Sequence, residues 1–242
     1  MLDKRKIISY SFFEPLVSLP SLGREWDVHR GAQLRYWYNI PAVILGNSLT
    51  YPDYITRMYV TSNVFRNPLS KIFDILSDHV EIVEIDMEYS LTEPSILRMK
   101  PVWEDFDIVH VKDIDSIPTE IEYRLSKSFE ESCCTMYTLR SHEGHWYLPA
   151  CMLAGLSGFK PKEIPEDIKL ASFDEYQQKA HKRYGCDQDL MIQVFCRDRT
   201  YLEEHFYDCE AYDKRRLQGF KCKSCTGLEK INIEPEIQEV FD

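Results

Sequence analysis

The sequence lacks a run of about 20 apolar residues, the length that a helix needs to cross a bilayer, so no transmembrane helix is expected. Basic residues precede an apolar stretch at the start of the chain, as they do in a signal peptide. Ser9, Ser11, Glu14 and Pro15 interrupt that stretch, however, and no small-residue cleavage site follows it. We therefore expect no signal peptide and interpret the segment as a first β-strand.

Basic residues are few. The chain has 29 lysines and arginines against 40 aspartates and glutamates, which gives a formal net charge of -11. This balance argues against a uniformly basic nucleic-acid-binding surface, although it allows a local basic patch. A protein of this charge that handles an anionic substrate would need a focused cluster of cations or a bound metal ion.

Repeats, low-complexity tracts and linkers rich in proline and serine are also missing. With 242 residues, 44% of them hydrophobic and 13% aromatic, the chain can bury a full globular core. We expect one domain over residues 1–197, with residues 198–242 as a C-terminal extension of it. The eight cysteines come without a secretory signal, so we expect reduced thiols and a cytoplasmic location, in the host cytoplasm if the protein is viral.

Short segments rich in β-branched and aromatic residues alternate with helical patterns. The predicted strands are 6–13, 55–60, 80–85, 106–111 and 135–140, and the predicted helices are 34–51, 68–79, 118–132, 172–184 and 187–197. This alternation predicts an α/β fold built from βαβ units around a largely parallel sheet.

The segment HVKDIDSIP places Asp113 and Asp115 directly behind an apolar strand. Residues i and i+2 of an extended chain point to the same side, so both carboxylates can approach one cation. Oxygen ligands suit Mg²⁺ or Mn²⁺, and ligand sites of α/β sheets lie at the carboxyl ends of strands. Alternatively, Asp115 and Ser116 cap a helix that begins near Pro118, and Asp113 is solvated.

A histidine-containing loop follows the fifth predicted strand. LRSHEGH places Arg140, His142 and His145 within six residues, ahead of a glycine-rich stretch. Arginine and histidine side chains can bind a diphosphate or a sugar hydroxyl. Alternatively, the loop is a solvated surface segment.

The last predicted helix begins with two carboxylates. Asp187 and Asp189 stand in CDQDL at its first turn. Carboxylates there can accept hydrogen bonds from the free N–H groups and complement the helix dipole. An ionised carboxylate held in that place would also serve as a general base, so both residues are candidate catalytic residues.

Taken together and in order, these segments resemble a family of small nucleotide-sugar-dependent glycosyltransferases of the GT-A fold with an Asp-x-Asp-Ser motif. The counterparts in this chain are SYSFF, LTYPDYITRMYV, Arg98 in SILRMKPVWEDFDIVHVKDIDS, LRSHEGHWYLPACMLAGLSG and YGCDQDL, and the resemblance covers roughly residues 6–197. The chain departs from the family pattern at two places. Ile117 and Ile121 stand where the family has arginines, although the helix glutamate that follows, Glu122, is present.

The resemblance implies a GT-A-like, Rossmann-like α/β fold with a mixed, mostly parallel sheet flanked by helices. It implies transfer of a hexosyl or pentosyl group from a nucleotide-diphosphate sugar, with a UDP-sugar as the first expectation, to an acceptor hydroxyl. Asp113 and Asp115 would hold Mn²⁺ or Mg²⁺ across the diphosphate, backed by Arg57 and Arg98. The other implied sites are the nucleotide base at Ser9, Tyr10, Ser11 and Phe12, the sugar or acceptor at Arg140, His142 and His145, and the base for the acceptor hydroxyl at Asp187 or Asp189.

An alternative function follows from the two departures. If the missing arginines at Ile117 and Ile121 bind the donor or the acceptor in the family, this chain uses other residues or handles another ligand. A sugar- or nucleotide-binding module that keeps the GT-A fold without catalysis is therefore the second hypothesis.

The C-terminal tail holds a candidate zinc site. His205, Cys209, Cys222 and Cys225 give His-x₃-Cys, twelve residues and Cys-x₂-Cys, with the first pair on one face of a helix. A Cys₃His site would staple the extension to the fold. Alternatively, Cys209 is a small buried side chain, the other two cysteines are accidental or redox-active neighbours, and His205 ligates the catalytic cation.

The densest positive stretch of the chain lies in the same tail. It consists of Lys214, Arg215, Arg216, Lys221 and Lys223. Solvated surface is one explanation, and contact with an anionic acceptor is the other. We consider two acceptors, a polysaccharide and a hydroxymethylated base of viral DNA. The acidic total speaks against a third hypothesis, a nucleic-acid-binding adaptor built around the tail.

Overall fold

The computed structural model describes an α/β architecture over most of the chain. The described residues are 4–14, 30–88, 93–114, 116–140, 156–166, 169–179, 186–195, 202–206 and 218–220. The strands are β1 (Lys6–Phe12), β2 (Ile55–Thr61), β3 (Glu81–Ile85), β4 (Ile108–Lys112), β5 (Met136–Arg140), β6 (Leu156–Phe159), β7 (Leu202–Phe206) and β8 (Gln218–Phe220). The α-helices are α1 (Arg30–Thr50), α2 (Lys71–Ile75), α3 (Glu120–Glu131), α4 (Phe173–Gln178) and α5 (Cys186–Phe195), and 3₁₀ helices span Ser62–Arg66, Pro68–Ser70 and Glu93–Trp103.

The described strands form one sheet in the order β3-β2-β1-β4-β6-β5-β7-β8. Strands β3, β2, β1 and β4 are parallel neighbours, β6 runs antiparallel to β4 and β5, and β7 is parallel to β5. The chain builds outward from β1 to β3 on one side and then returns to add β4 on the other. The prediction of a mixed, mostly parallel sheet flanked by helices is confirmed.

Each face of the sheet is covered by its own hydrophobic core. Neighbouring residues of a strand point to opposite faces, and Ile7 and Ile8 accordingly belong to different clusters. On the Ile7 face pack the 93–103 3₁₀ helix, α4 and α5. On the Ile8 face pack α1, α2 and, through Tyr123, α3. We keep the names Ile7 face and Ile8 face below.

Several segments differ from the sequence predictions. Strands β6, β7 and β8 are not predicted. The prediction of one helix over 68–79 is wrong in part, because the segment starts as a 3₁₀ turn and α2 ends at Ile75. The 93–103 3₁₀ helix is not predicted at all. Pro101, inside the segment, lacks an N–H donor and clashes with a regular α-helix, so the segment does not match an α-helical prediction.

The structure corrects two expectations about histidine and cysteine. His205 lies in β7, so its placement on a helix with Cys209 is wrong. Pairing of β7 with β5 supplies its backbone hydrogen bonds, and that tertiary ladder cannot be read from the local sequence. Cys134 and Cys186 are buried cysteines outside any disulfide, whereas Cys133 is disulfide-bonded, so the expectation of reduced thiols is wrong at that residue. None of the described helices is both long enough and apolar enough to cross a membrane.

Candidate functional site

The carboxyl edge of the parallel strands carries the first aspartate of the acidic pair. β4 ends at Lys112, and Asp113 follows it directly. Val109 and Val111 lie in the core of the Ile7 face, so by alternation Asp113 leaves the strand toward that same face. The 93–103 3₁₀ helix and the first turn of α5 cover this face. Polar side chains of all three segments therefore converge here.

Arg98 joins these three segments. It lies in the 93–103 3₁₀ helix, and its Nη1 donates to the backbone oxygen of Lys112 at 3.1 Å and to Oδ1 of Asp113. Its Nη2 donates to Oδ2 of Asp187 at 2.5 Å. One guanidinium thus fixes the end of β4 relative to the start of α5. We call Arg98, Asp113 and Asp187 the Arg98 group.

Burial and charge act in opposite directions on Arg98. Burial alone would lower the pKa of its guanidinium, but the carboxylates of Asp113 and Asp187 raise it, and the net shift is upward. The side chain therefore stays cationic in the site. Its Nε is buried and has no hydrogen-bond partner among the described residues. A buried donor in that state costs free energy and calls for a functional explanation.

The two carboxylates of the Arg98 group differ in their access to solvent. The side chain of Asp113 is 38% exposed, whereas that of Asp187 is 6% exposed. Asp187 stands in the first turn of α5, where the helix dipole favours a carboxylate. Asp113 can therefore meet a ligand directly, while the contact that the structure gives Asp187 is with Arg98. The side chain of Asp189 lies outside the described part of the chain.

Thr119 caps the helix that follows the acidic pair. Its side chain accepts a hydrogen bond from the backbone N–H of Glu122, and the Glu122 carboxylate accepts one from the backbone N–H of Thr119. This is a capping box. The alternative in which Asp115 and Ser116 cap this helix is therefore wrong. Asp115 itself lies outside the described residues, as do His142, His145, Cys209, Cys222 and Cys225.

β4 carries two buried ionisable residues on the Ile8 face, and the sequence analysis missed both. Lys112 is fully buried, and its Nζ donates to Oε2 of Glu122 at 2.6 Å. His110 is also fully buried, with Nδ1 at 3.4 Å from Oγ of Ser126. Burial, followed by the positive charge of Lys112, lowers the pKa of His110 to about 3. The available signal was the place of His110 between two valines inside the predicted strand 106–111, with Lys112 directly after that strand.

The four candidate base-binding residues of β1 fall into two groups. Ser9, Tyr10 and Phe12 are buried, and Tyr10 and Phe12 belong to the core of the Ile8 face, opposite Asp113. Ser11 is partly exposed, and its hydroxyl donates to the backbone of the 93–103 segment at 3.3 Å. Of these four residues, Ser11 is therefore the one whose side chain can offer a contact at this edge.

Arg57 lies apart from the Arg98 group. Its guanidinium donates to Glu81 at 2.9 Å and to Glu104 at 2.5 Å, and it stacks on Phe106 at 5.4 Å from the ring centre. β1 separates its strand from β4. The structure does not bring Arg57 to Asp113, and both of its ion pairs are with carboxylates of the chain itself.

Backbone register places two more candidate residues at the carboxyl edge. Lys112 is aligned with Leu156 of β6, and Leu156 is aligned with Leu139 of β5. Leu139 is aligned in turn with His205 of β7, and Arg140 is the next residue of β5. Adjacent strands are about 4.8 Å apart, so the backbones of Arg140 and His205 lie about 10 and 14 Å from the end of β4.

Within the described residues, no group of three or more histidine, cysteine or acidic side chains could hold a metal ion. Of the two aspartates proposed as cation ligands, the described one is Asp113. Its carboxylate suits a hard divalent cation in chemistry, since such ions take oxygen ligands and complete their shells with water and phosphate.

A second polar cluster at the carboxyl edge was not predicted. Glu14 follows β1, and its Oε1 accepts hydrogen bonds from Trp37 at 3.3 Å and from Asn67 at 2.6 Å. Its backbone oxygen accepts one from Asn63 at 3.1 Å. The cluster fixes the chain after β1 to the 3₁₀ turns after β2. The three partners of Glu14 lie 23 to 53 residues after it in the sequence, so no local motif marks the cluster.

Comparison with solved structures finds similarities at low identity. The chain is similar to a nucleotide-diphospho-sugar transferase from Desulfovibrio desulfuricans, with 13% identity, a TM-score of 0.47 and coverage of 88% of this chain and 91% of that one. It is similar to 4-diphosphocytidyl-2C-methyl-D-erythritol synthase from Anaerococcus prevotii, with 12% identity, a TM-score of 0.45 and coverage of 84% and 87%. A third similarity is to the mannosyltransferase PcManGT from Pyrobaculum calidifontis in complex with GDP-Man and Mn²⁺, with 9% identity, a TM-score of 0.43 and coverage of 79% and 53%. No protein-family model and no curated protein matches the chain. Similarities at this level do not establish a function.

Proposed function

We propose that the protein is a glycosyltransferase that moves a sugar from a nucleotide-diphosphate sugar to an acceptor hydroxyl. The observation that carries the proposal is the Arg98 group. A buried arginine links the first aspartate of the Asp-x-Asp-Ser segment to the Asp-Gln-Asp helix, and this arginine lies 89 residues before Asp187 in the sequence. The contact lies at the carboxyl edge of a mostly parallel sheet, where open α/β folds bind their ligands.

A divalent cation, Mn²⁺ or Mg²⁺, is part of the proposal. Asp113 offers a partly exposed carboxylate whose orientation Arg98 fixes, and we propose Asp113 and Asp115 as the protein ligands of the cation. Such ions bind carboxylates together with substrate phosphates. When bound, the cation would neutralise negative charge on the nucleoside diphosphate that leaves the sugar.

Arg98 has a positioning task in this function. Because it holds carboxylates from two elements, it keeps Asp113 in one place before the donor arrives. Preorganised contacts of this kind spare the site a rearrangement when the ligand binds. Its burial also removes the guanidinium from competing water.

The remaining assignments are finer proposals. We propose a UDP-sugar as the donor, Arg140, His142 and His145 as contacts for the sugar or the acceptor, and Asp189 as the base that deprotonates the acceptor hydroxyl. The buried contact of Asp187 with Arg98 favours Asp189 over Asp187 for that task. The acceptor is a polysaccharide or a hydroxymethylated base of viral DNA, and the basic stretch of the tail would contact it.

The experiment combines a binding screen with one variant. A panel of nucleotide sugars is tested with Mn²⁺ by thermal shift, since a ligand that binds the folded state raises the unfolding midpoint. With the donor found, transfer and donor hydrolysis are measured for Asp113→Asn. We expect a loss of about 100-fold or more, because the variant removes a charged ligand of the cation. The matched control is Asp105→Asn, a substitution of a 72% exposed aspartate that contacts Arg5 at the other edge of the sheet. Undiminished turnover in Asp113→Asn, or in wild-type protein treated with EDTA, would contradict the proposal.

A second candidate function is donor binding without catalysis. The observation that favours it is Ile117, which is 52% exposed at a position where the resembling family has an arginine. Such a module would show a raised midpoint with a nucleotide sugar but neither transfer nor hydrolysis. The same screen therefore separates the two functions.

A further inference from the structure

We infer that Lys112 and Glu122 are positioning residues that set the place of Asp113 and of the connection from β4 to α3. The predicted effect of the pair on ligand binding rests on the proposed function. Its predicted effect on the β4–α3 connection does not. Neither residue contacts the reacting groups in the proposed reaction. Their action on the site would pass through the backbone between them.

The burial of Lys112 is the first observation. Its side chain has no solvent exposure, although it stands one residue before the carboxyl edge of the sheet. Lysine is almost never fully buried unless it is paired, and a hydrophobic residue of similar volume is usually no less stable in such a place than a buried ion pair. Stability alone therefore does not explain a lysine here.

Its partner Glu122 has two contacts at once. The same Oε2 atom accepts from Nζ of Lys112 at 2.6 Å and from the backbone N–H of Thr119 at 3.2 Å. The second contact belongs to the capping box that starts α3. Glu122 therefore links the first turn of α3 to the last residue of β4. Both ends of the β4–α3 connection are held by this one carboxylate.

Lys112 is held from both faces of the sheet. On the Ile8 face its side chain reaches α3, and on the Ile7 face its carbonyl oxygen accepts from Arg98 at 3.1 Å. The same guanidinium binds Asp113. A shift of Lys112 toward or away from α3 would therefore move the peptide bond between Lys112 and Asp113. The Asp113 carboxylate, which binds Arg98, would move with it.

Helix α1 packs against the C-terminal part of the same connection. A Cβ atom on Gly46 would lie 2.8 Å from Cγ of Pro118, closer than real side-chain contacts allow. α1 and the connection thus approach each other at a place where only glycine fits. The connection is confined by Lys112 at its start, by Pro118 against α1, and by Glu122 just beyond it.

α3 itself offers a matched control for this pair. Glu130, in its last turn, binds Lys6 of β1 at 2.7 Å, and the two side chains are 10% and 13% exposed. This pair has the same chemistry and also joins α3 to a parallel strand. It lies at the amino edge, however, because Lys6 begins its strand, so it has no path to Asp113 through the β4–α3 connection.

The experiment compares Lys112→Met/Glu122→Gln with Lys6→Met/Glu130→Gln. Each double variant removes both charges, so no uncompensated buried charge remains to unfold the protein, and glutamine at position 122 can still close the capping box. The readouts are hydrogen exchange over 113–119 and over 108–111, the dissociation constant of the nucleotide sugar with Mn²⁺, and kcat and KM.

In Lys112→Met/Glu122→Gln we expect exchange over 113–119 to be about tenfold faster and donor binding about tenfold weaker, as for the loss of one hydrogen bond between charged groups. Exchange over 108–111 stays at the wild-type rate. The Lys6→Met/Glu130→Gln control leaves both the 113–119 exchange and donor binding unchanged.

Wild-type exchange over 113–119 in Lys112→Met/Glu122→Gln would overturn the inference, and so would an equal effect of the control on that segment. If the connection exchanges faster but wild-type protein binds no nucleotide sugar, the positioning role stands and the proposed function fails. If the connection exchanges faster and donor binding by the variant equals that of the wild type, the role in ligand binding is overturned.

Discussion

The two edges of the sheet both carry ion pairs, but the pairs at the two edges are built in different ways. At the amino edge, Lys6 and Lys127 contact Asp53 and Glu130 at 2.7 to 3.1 Å. All four side chains reach solvent, with exposures from 10% to 44%. The cluster links the starts of β1 and β2 to the end of α3.

At the carboxyl edge, the Arg98 group draws its members from three distant segments and keeps two of them almost fully buried. Exposed pairs contribute little to stability because water and salt screen them. A buried charge is costly when its partner is lost. The amino edge thus uses charged side chains that reach solvent, whereas the carboxyl edge keeps charged side chains buried. Perturbed, buried charge of that kind is typical of functional sites.

The largest effect that separates the two edges is expected from Arg98→Met. It leaves Asp187 buried without the guanidinium that it contacts, so we expect a loss of about 3 kcal/mol or more in the free energy of unfolding. The measurement is urea denaturation monitored by circular dichroism. Arg5→Met is the matched control, because Arg5 is 54% exposed and contacts an exposed aspartate. Equal losses in the two variants would remove the distinction between the edges.

The next effect concerns His110, which lies between the two edges. Burial, then Lys112, then Lys127 and Lys6 lower its pKa from 6.5 to about 3 in the folded protein. Between pH 6.5 and pH 3, the imidazole of His110 is therefore protonated in the unfolded chain and neutral in the folded protein. The part of the free energy of unfolding that depends on neutral His110 is fully present above pH 6.5 and is lost as the pH falls toward 3. We expect the free energy of unfolding to fall by about 2 kcal/mol between pH 8 and pH 5.

The pH effect is tested by urea denaturation at pH 8 and pH 5. His110→Phe should lose this part of the pH dependence, whereas His79→Gln, a substitution of an exposed histidine, should keep it. An unchanged pH dependence in His110→Phe would show that the buried imidazole is not its source.

The smallest effect is expected from Lys127→Met at the amino edge. Its side chain is 30% exposed and contacts Asp53 and Glu130, so we expect a loss below about 1 kcal/mol. The loss should shrink in high salt because ions screen exposed pairs. Denaturation in low and high salt measures it, and a salt-independent loss as large as that of Arg98→Met would contradict the comparison.

The sequence predicts the parallel half of the sheet because β1, β2 and β4 are short, β-branched or aromatic segments between breakers. It also predicts that Asp113 lies at the carboxyl edge, since the residue directly follows such a strand. The family resemblance places Arg98 behind the acidic pair, and the structure shows its contact with Asp113. The 93–103 3₁₀ helix gives no periodic signal, and the contact of Arg98 with Asp187 is visible in the structure alone.

Partners across the sheet are the other information that local sequence does not hold. Arg57 suits a phosphate by its chemistry, yet the register aligns it with Glu81, whose carboxylate it binds. Lys112 looks like an ordinary strand end until α3 brings Glu122 to it. In both cases the partner is set by strand register or helix packing, which are long-range properties of the fold.

The central claim is that the carboxyl edge is the ligand edge and that Asp113 binds its cation. The most direct test is calorimetric titration of Mn²⁺, with UDP present, into wild-type protein, Asp113→Asn and Asp53→Asn. We predict that the wild type and Asp53→Asn bind a single Mn²⁺ with equal affinity and that Asp113→Asn does not bind it. Equal binding by Asp113→Asn, or loss of binding in Asp53→Asn alone, would contradict the claim.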